Sequence, residues 1–161
     1  MSEYSAKIIW KRNSDATFTD NHYSRGHRWE FDGGAVVPAS SSPHIVPTPY
    51  SVEANVDPEE AFVASIASCH MLFFLGIAAK RGFVVDSYVD NPVGIMERGA
   101  DGKVQVTKVT LRPEISFSED SQPTGDQLEK LHHQSHEQCF IANSVKAEVV
   151  TEMVNRPLEA V

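Results

Sequence analysis

The sequence contains only two cysteines, Cys69 and Cys139, among its 161 residues. Small secreted domains that depend on disulfides for stability have a much denser set of cysteines. This scarcity excludes a disulfide framework. In a reducing cytoplasm, an isolated pair of cysteines serves catalysis or metal binding, or has no special role. The rest of the sequence has to decide among these three.

Positive charge is also scarce. Lysine and arginine number 14 against 22 aspartate and glutamate residues, which gives a net charge of −8, and no basic cluster interrupts this excess. A protein that binds the phosphate backbone needs such a cluster, so we expect no nucleic-acid partner. The first residues lack the basic segment, apolar run and cleavage site of a secretory signal. The expected localisation is therefore cytoplasmic.

One long hydrophobic run is present, over residues 61–79, and it contains no lysine, arginine, aspartate or glutamate. As a helix it would be about 28 Å long, which matches the thickness of a bilayer core. Ser65, Ser68, Cys69 and His70 lie at its midpoint, however, and favour a buried helix of a soluble protein over a membrane span. A short chain cannot cover such a helix on all faces, so we expect a second subunit to pack on it.

The start and the end of this helix are marked in the sequence. Asp57 suits the N-cap, Pro58 suits the first helical position, and Glu60 can complete a capping box with Asp57. Residues 80–82, Lys-Arg-Gly, are typical of a helix end. The sequence therefore predicts a helix that begins after Asp57 and stops at residues 80–82.

A second helix is predicted from Thr124 to about Cys139, where Thr124 and Gln127 have the spacing of another capping box. Its polar residues are interrupted by a stripe with helical spacing, which we expect to face the core. The members of this stripe are Leu128, Leu131, His132, Ser135 and Cys139.

Short segments rich in β-branched and aromatic residues predict the strands. These segments are 6–13, 26–32, 83–97, 103–117 and 145–153. Together with the helices they give the order β-β-α-β-β-α-β, an α+β fold in a single domain over residues 1–161. The first two strands are expected to pair with each other.

Two irregular features interrupt this pattern. Four prolines and three consecutive serines in residues 38–50 predict a surface loop. In the segment 103–117, the apolar residues before Thr107 have one parity and those after Lys108 have the other. Since opposite parities face opposite sides of a sheet, we predict a β-bulge near Thr107-Lys108.

A reactive Cys69 would need a positive charge beside it. The residue lies about twelve positions into its helix, beyond the reach of the helix dipole, and an ordinary cysteine is only about 3% thiolate at pH 7. An arginine could stabilise the thiolate, because it stays charged even when it is desolvated. Arg25 and Arg28 are the candidates, and their different parity places them on opposite faces of a strand. The residues alone leave both possible.

Two motifs carry a resemblance to a known family. Residues 57–69, Asp-Pro-Glu-Glu-Ala-Phe-Val-Ala-Ser-Ile-Ala-Ser-Cys, closely resemble the Asn-Pro-Glu helix that ends in Ala-Cys in the OsmC/Ohr family. Residues 137–145, Glu-Gln-Cys-Phe-Ile-Ala-Asn-Ser-Val, are similar to the second-cysteine motif of that family. The family comprises osmotically inducible protein C and the organic hydroperoxide resistance proteins.

The resemblance implies an OsmC-like fold: an intertwined homodimer with two long central apolar helices flanked by antiparallel sheets. It also implies a cysteine-based peroxidase that reduces organic hydroperoxides, and hydrogen peroxide more weakly. Cys69 takes the peroxidatic role and Cys139 the resolving role. Arg25 is the better match to the arginine that stabilises the thiolate, and Glu59 matches its carboxylate partner.

The resemblance further implies a dithiol or a lipoyl-bearing protein as the reductant, and no cofactor. Glu59 stands ten residues before Cys69 on one helix, so about 15 Å separates them along the axis. We therefore expect Glu59 to serve the site of the other subunit, through an antiparallel pair of helices.

Two alternatives to this function remain at the level of sequence. His132, His136 and Cys139 lie on one helical face, next to His133, and imidazole with thiolate suits zinc. This set predicts a metal-binding protein, although no tight zinc motif accompanies it. The other alternative is an OsmC-like stress protein that keeps the fold and lacks turnover.

Overall fold

The computed structural model describes residues 1–154 and divides into two compact units. The first unit is Met1–Ala61 and the second begins at Phe62. A single domain over residues 1–161 stays a prediction. The α-helices and strands of the described residues are β1 (Ala6–Ile9), β2 (His27–Phe31), β3 (Val36–Ala39), α1 (Pro58–Lys80), β4 (Val85–Asp90), β5 (Val93–Arg98), β6 (Val104–Leu111), β7 (Pro113–Phe117), α2 (Gly125–Gln138) and β8 (Glu148–Thr151).

The first unit contains one antiparallel sheet with the strand order β1-β2-β3. The pairing of β1 with β2 confirms the first two predicted strands, although β1 ends earlier than expected. Strand β3 was not predicted, because Pro38 placed its residues in the loop. It lies at the edge of the sheet, where a proline is tolerated since no ladder bond needs its missing N–H. The predicted loop therefore begins after Ala39.

Helix α1 begins and ends as its sequence predicts. The Glu60 N–H donates to Asp57 Oδ1 at 2.7 Å, and the Asp57 N–H donates to Glu60 Oε2 at 3.2 Å. These two bonds form the predicted capping box. Gly82 follows the helix with φ +80°, a left-handed conformation that glycine adopts without strain and that stops the helix.

The region after α1 contains four strands where two long ones were expected. Strands β4 and β5 are separated at Asn91-Pro92, because a residue before proline is restricted and proline itself donates no ladder bond. Strands β6 and β7 are separated by Arg112, whose backbone N–H donates to Asp90 Oδ1 at 2.7 Å. The two separations divide the expected hairpin into two sheets, one of β4-β7 and one of β5-β6-β8.

The predicted bulge is confirmed in the pairing of β5 with β6. Ile95 lies opposite Lys108, whereas the next residue, Met96, lies opposite Val106. Thr107 is therefore the extra residue, and it allows apolar side chains on both parts of β6 to reach the core.

Strand β8 is shorter than the predicted segment 145–153 and pairs with β6 in parallel. Its sheet is mixed, because β5 and β6 are antiparallel. Helix α2 carries the predicted capping box between Thr124 and Gln127 and ends at Cys139 as its C-cap. Every residue of the predicted inner stripe of α2 is buried.

Helix α1 contributes to both core clusters of the second unit. Its C-terminal half supplies Phe74 and Ala78, which pack with α2 and β7. Its N-terminal half supplies Ile66 and Ala67, which pack with β6. The α+β class and the OsmC-like arrangement of two helices with mainly antiparallel sheets agree with the predicted fold.

One face of α1 is not covered by the other described residues of the chain. By length and composition the helix could cross a membrane, a test that core helices of soluble proteins also pass, and only 28% of its most apolar window is buried. Ser65, Ser68, Leu72 and Gly76 form an exposed stripe at helical spacing, which we call the open face of α1. Leu72 is 63% exposed.

A close approach between β5 and α1 gives a test of this packing. A Cβ atom on Gly94 would lie 2.6 Å from Val63 Cγ2. We expect Gly94→Ala to lower the free energy of unfolding by about 1–3 kcal/mol through overpacking. Gly125→Ala is the matched control, since nothing lies near its added Cβ. Urea unfolding measures both, and equal midpoints for the two variants would contradict the close packing.

Candidate active site

The two cysteines lie together in the second unit. Cys69 is on α1 and half-buried, whereas Cys139 at the end of α2 is fully buried, and both are free thiols. Burial, together with a hydrogen bond to the Cys69 side chain, raises the pKa of Cys139 to about 11. Side chains in hydrogen-bond contact are near enough to form a disulfide after a small displacement.

The surroundings of Cys139 hold its sulfur in place. The Ala142 N–H donates to Cys139 Sγ at 3.4 Å, in the turn that follows α2. The rings of Phe73 and Phe140 meet edge to face, with centroids 5.0 Å apart, one residue beyond Cys139. With its raised pKa, Cys139 is a protonated thiol at neutral pH. Of the two sulfurs, that of Cys69 is the more accessible.

Arg25 and Glu59 line the same cavity in the first unit. This cavity has a volume of about 470 Å³ and a largely aromatic and aliphatic wall. Its lining residues are Ile8, Trp10, Phe18, Tyr23, Arg25, His27, Ser40, Ser41, Pro58 and Glu59.

Backbone carbonyls fix the guanidinium of Arg25. Its Nη1 donates to the carbonyl oxygens of Asn21 at 2.7 Å and Tyr23 at 2.6 Å. The guanidinium carbon lies 3.8 Å from the centre of the Tyr23 ring, a cation–π contact. Asn21 has φ +62°, a left-handed conformation that asparagine tolerates better than most residues. The local turn therefore orients Arg25.

Arg28, the other arginine left open by the sequence, has a different environment. Its Nε donates to Glu30 Oε1 at 2.8 Å on β2 and lowers the pKa of that glutamate. Arg28 does not line the cavity that contains Glu59. Within residues 1–61, Arg25 and Glu59 do not form an ion pair with each other.

The three residues of the predicted metal set do not form a metal centre. Across residues 1–154, no group of three or more histidine, cysteine, aspartate or glutamate side chains is arranged to hold a metal ion. His132 contacts His70 instead, at 3.1 Å between Nδ1 and Nε2. The Cys139 thiol is in hydrogen-bond contact with the side chain of Cys69. The geometry gives no support to the metal-binding alternative.

The contact between His70 and His132 does not follow from the sequence. The sequence indicates an interior position for His70 and a position on the inner stripe of α2 for His132. Two features of the sequence point toward this contact. One is a histidine within the otherwise apolar α1, and the other is a second histidine on the inner stripe of α2, which is expected to face the core. Helical periodicity identifies the two faces and does not identify which residues meet across them.

Comparison with known proteins identifies the family. A model described as OsmC-like protein matches residues 52–154. An OsmC-like protein of unknown function from Vibrio cholerae has 63% identity and a TM-score of 0.94, covering 96% of this chain and 100% of its own. The chain belongs to the OsmC-like family. Comparison with curated proteins gives no match.

More distant OsmC-like structures share the fold at low identity. An organic hydroperoxide resistance protein from Legionella pneumophila has 13% identity and a TM-score of 0.61, with 95% of this chain and 97% of that chain covered. The organic hydroperoxide resistance protein OhrB of Bacillus subtilis has 16% identity and a TM-score of 0.65, with 93% and 98% covered. The predicted OsmC/Ohr membership is confirmed. The range matched by the family model includes Glu59, Cys69 and Cys139 and begins after Arg25.

Proposed function

We propose that this OsmC-like protein is a thiol-dependent peroxidase that reduces organic hydroperoxides, and hydrogen peroxide more weakly. The contact between Cys69 and Cys139 carries the proposal. It joins Cys69, which is only partly buried, to Cys139, which is fully buried and whose thiol is protonated at neutral pH. This asymmetry suits Cys69 as the peroxidatic cysteine and Cys139 as the resolving cysteine.

The proposed cycle has three steps. The Cys69 thiolate attacks the distal oxygen of the hydroperoxide, the O–O bond breaks, and the alkoxide takes a proton to leave as an alcohol. The Cys139 thiol then attacks the sulfenic acid on Cys69, which forms the disulfide and releases water. A dithiol, proposed to be a lipoyl group on a partner protein, reduces the disulfide and is itself oxidised to a cyclic disulfide.

Arg25 is the proposed cation that stabilises the Cys69 thiolate, and Glu59 is its proposed carboxylate partner. The position of both residues on one cavity wall supports these roles over a role for Arg28. The aromatic wall beside them suits the apolar part of an organic hydroperoxide. Arg25 and Glu59 form no ion pair with each other in residues 1–61. That Glu59 serves the site of the other subunit stays a proposal.

The reducing conditions that a dithiol cycle requires agree with the proposed cytoplasmic localisation. The protein is also proposed to be a homodimer, in which the open face of α1 packs on a second copy. An exposed apolar side chain with serine and glycine one turn to either side permits two helices to approach closely.

Replacement of each cysteine tests the peroxidase. With cumene hydroperoxide and dihydrolipoamide, we expect steady-state consumption by the wild-type protein and none by Cys69→Ser. Cys139→Ser should consume one equivalent per chain and retain a sulfenic acid on Cys69, detectable with dimedone. An inactive wild-type protein would support the alternative of an OsmC-like protein without turnover, and full turnover by Cys139→Ser would contradict the resolving role.

The two arginines provide a matched pair of variants. We expect Arg25→Lys to slow the reaction of Cys69 with hydroperoxide by about tenfold or more, because lysine cannot reproduce the planar fork of guanidinium donors. Arg28→Lys should react within about twofold of the wild type, since Arg28 is exposed and its guanidinium is already paired with Glu30. Stopped-flow mixing with one equivalent of peroxide measures both rates. The reverse order of effects would assign the role to Arg28.

The dimer can be tested at the open face of α1. We expect Leu72→Asp to shift the protein to monomer in sedimentation velocity, because two carboxylates would be buried at the contact. Val104→Asp is the control, since Val104 is 60% exposed and lies beside the 99–103 turn. A wild-type monomer, or an unchanged dimer in Leu72→Asp, would refute this use of the open face.

A further inference from the structure

Two buried histidines connect the helices that carry the cysteines. His70 Nε2 on α1 lies 3.1 Å from His132 Nδ1 on α2, and the two rings are stacked at 12° with centroids 5.4 Å apart. His70 is 1% exposed and His132 is 5% exposed. One ring nitrogen must donate the shared proton and the other must accept it, so the bond cannot form once both imidazoles are protonated. A proton added to only one ring would leave a donor and an acceptor, and it would place a positive charge in a buried position.

The pair has a specific relation to the two thiols. His70 directly follows Cys69, and His132 lies two helical turns before Cys139. Both Cys139 and His132 belong to the inner stripe of α2. A displacement of α2 that separates the imidazoles therefore also moves Cys139 away from Cys69.

Within residues 1–154, no carboxylate lies within hydrogen-bond distance of either imidazole to compensate a positive charge. The Nδ1 of His70 is buried and has no hydrogen-bond partner. His132 packs on the ring of Phe74, with centroids 4.6 Å apart, and Phe74 in turn packs on Tyr88 of β4 and Phe117 of β7. These two strands therefore present aromatic rings toward the pair.

The titratable groups near the pair come mostly from α2 itself. His136 is near enough for its charge to affect His70, and Glu129, His133 and His136 line a cavity with His132. Strand β8 and the residues just after it contribute only uncharged side chains to that cavity: Val149, Val150 and Thr151 from the strand, and Met153 beyond its end. On α1 the adjacent titratable group is Cys69. On β4, burial and the nearby Asp90 raise the pKa of the Tyr88 hydroxyl, and burial also raises the pKa of the Asp90 carboxyl.

We propose that His70 and His132 are positioning residues that hold Cys139 against Cys69, and that they do so only while both imidazoles are uncharged. The proposal rests on the proposed function because it concerns the step in which the disulfide forms. The contact itself does not depend on peroxide, so it can be tested without peroxide.

Acid should open the contact. Burial, with the charges of His132 and His136, lowers the pKa of His70 to about 3, and burial lowers that of His132 to about 4. The closed arrangement thus binds fewer protons than a separated one, in which each imidazole would titrate near 6.5. As the pH falls below 6.5, protonation increasingly favours separation, and the closed form is lost as the pH approaches 4.

Dithiodipyridine allows the reaction of Cys69 and the formation of the Cys69–Cys139 disulfide to be measured as two separate steps. One equivalent reacts with Cys69, which releases a first thiopyridone and leaves a mixed disulfide. Cys139 then attacks Cys69 Sγ, which forms the disulfide between the cysteines and releases the second thiopyridone, and the proton of the Cys139 thiol passes to that leaving group. The second rate should fall about tenfold per pH unit as the Cys139 thiolate is lost. In the wild type we expect it to fall more steeply below about pH 5.

Substitutions at His132 decide the proposal. We expect His132→Ala to slow the second release about tenfold or more at pH 7, with the first release within about twofold of the wild type. His132→Asn keeps a hydrogen-bonding group near the Nδ1 position and has no proton to gain. This variant should restore the rate at pH 7 and follow a constant tenfold slope down to pH 4. His133→Ala, an exposed neighbour on α2, is the control and should match the wild type at every pH.

An unchanged second release in a folded His132→Ala would overturn the proposal. So would an unchanged acid steepening in His132→Asn, which also decides the matter if His132→Ala does not fold by circular dichroism. The proposed function fails separately: a protein that completes both thiopyridone releases and does not consume hydroperoxide would refute the peroxidase and leave the positioning role intact.

Discussion

The apolar helix α1 is the constraint on which the second unit depends. Its sequence has no charged residue between its first turn and Lys80, so water is unfavourable over most of its surface. One core cluster forms around each half of the helix. The C-terminal half packs with β7 and α2, and the N-terminal half packs with β6. The capping box at Asp57 and Gly82 at the other end fix its limits, and these limits set where Cys69 lies relative to α2.

The same burial distinguishes the two cysteines. Cys69 lies at the boundary of the covered part of α1, where one side of the helix faces the core and the other is open. Cys139 lies at the end of α2, beneath the turn whose Ala142 N–H bonds to its sulfur. The two thiols differ in access because the chain covers Cys139 and leaves Cys69 partly uncovered, and the burial of Cys139 also raises the pKa of its thiol. No charged neighbour is needed to produce that difference in access.

Local rules predicted most of the helical structure and one fine detail of the sheet. The caps at Asp57 and Thr124 depend on side chains three residues apart, and the bulge at Thr107 follows from a change of parity that only an extra residue can accommodate.

Strand β3 was missed because Pro38 is tolerated only at a sheet edge, and edges are a property of topology. The divisions at Asn91-Pro92 and Arg112 depend on how two sheets diverge, which a run of β-branched residues does not reveal. Helical periodicity predicts the inner stripe that contains His132. It does not predict the contact of His132 with His70, because that contact depends on how α1 and α2 pack against each other.

The way in which Arg25 is held has a consequence for the electrostatics of its cavity. Asn21 and Tyr23 bind the guanidinium through carbonyl oxygens, which are neutral acceptors, and the Tyr23 ring adds a third neutral contact. The side chain is therefore immobilised while its full formal charge is retained, in contrast to Arg28, whose charge is neutralised by Glu30. A preorganised cation of this kind needs no reorientation when an anion arrives, so the energetic cost of arranging the dipoles is met during folding instead of during each reaction.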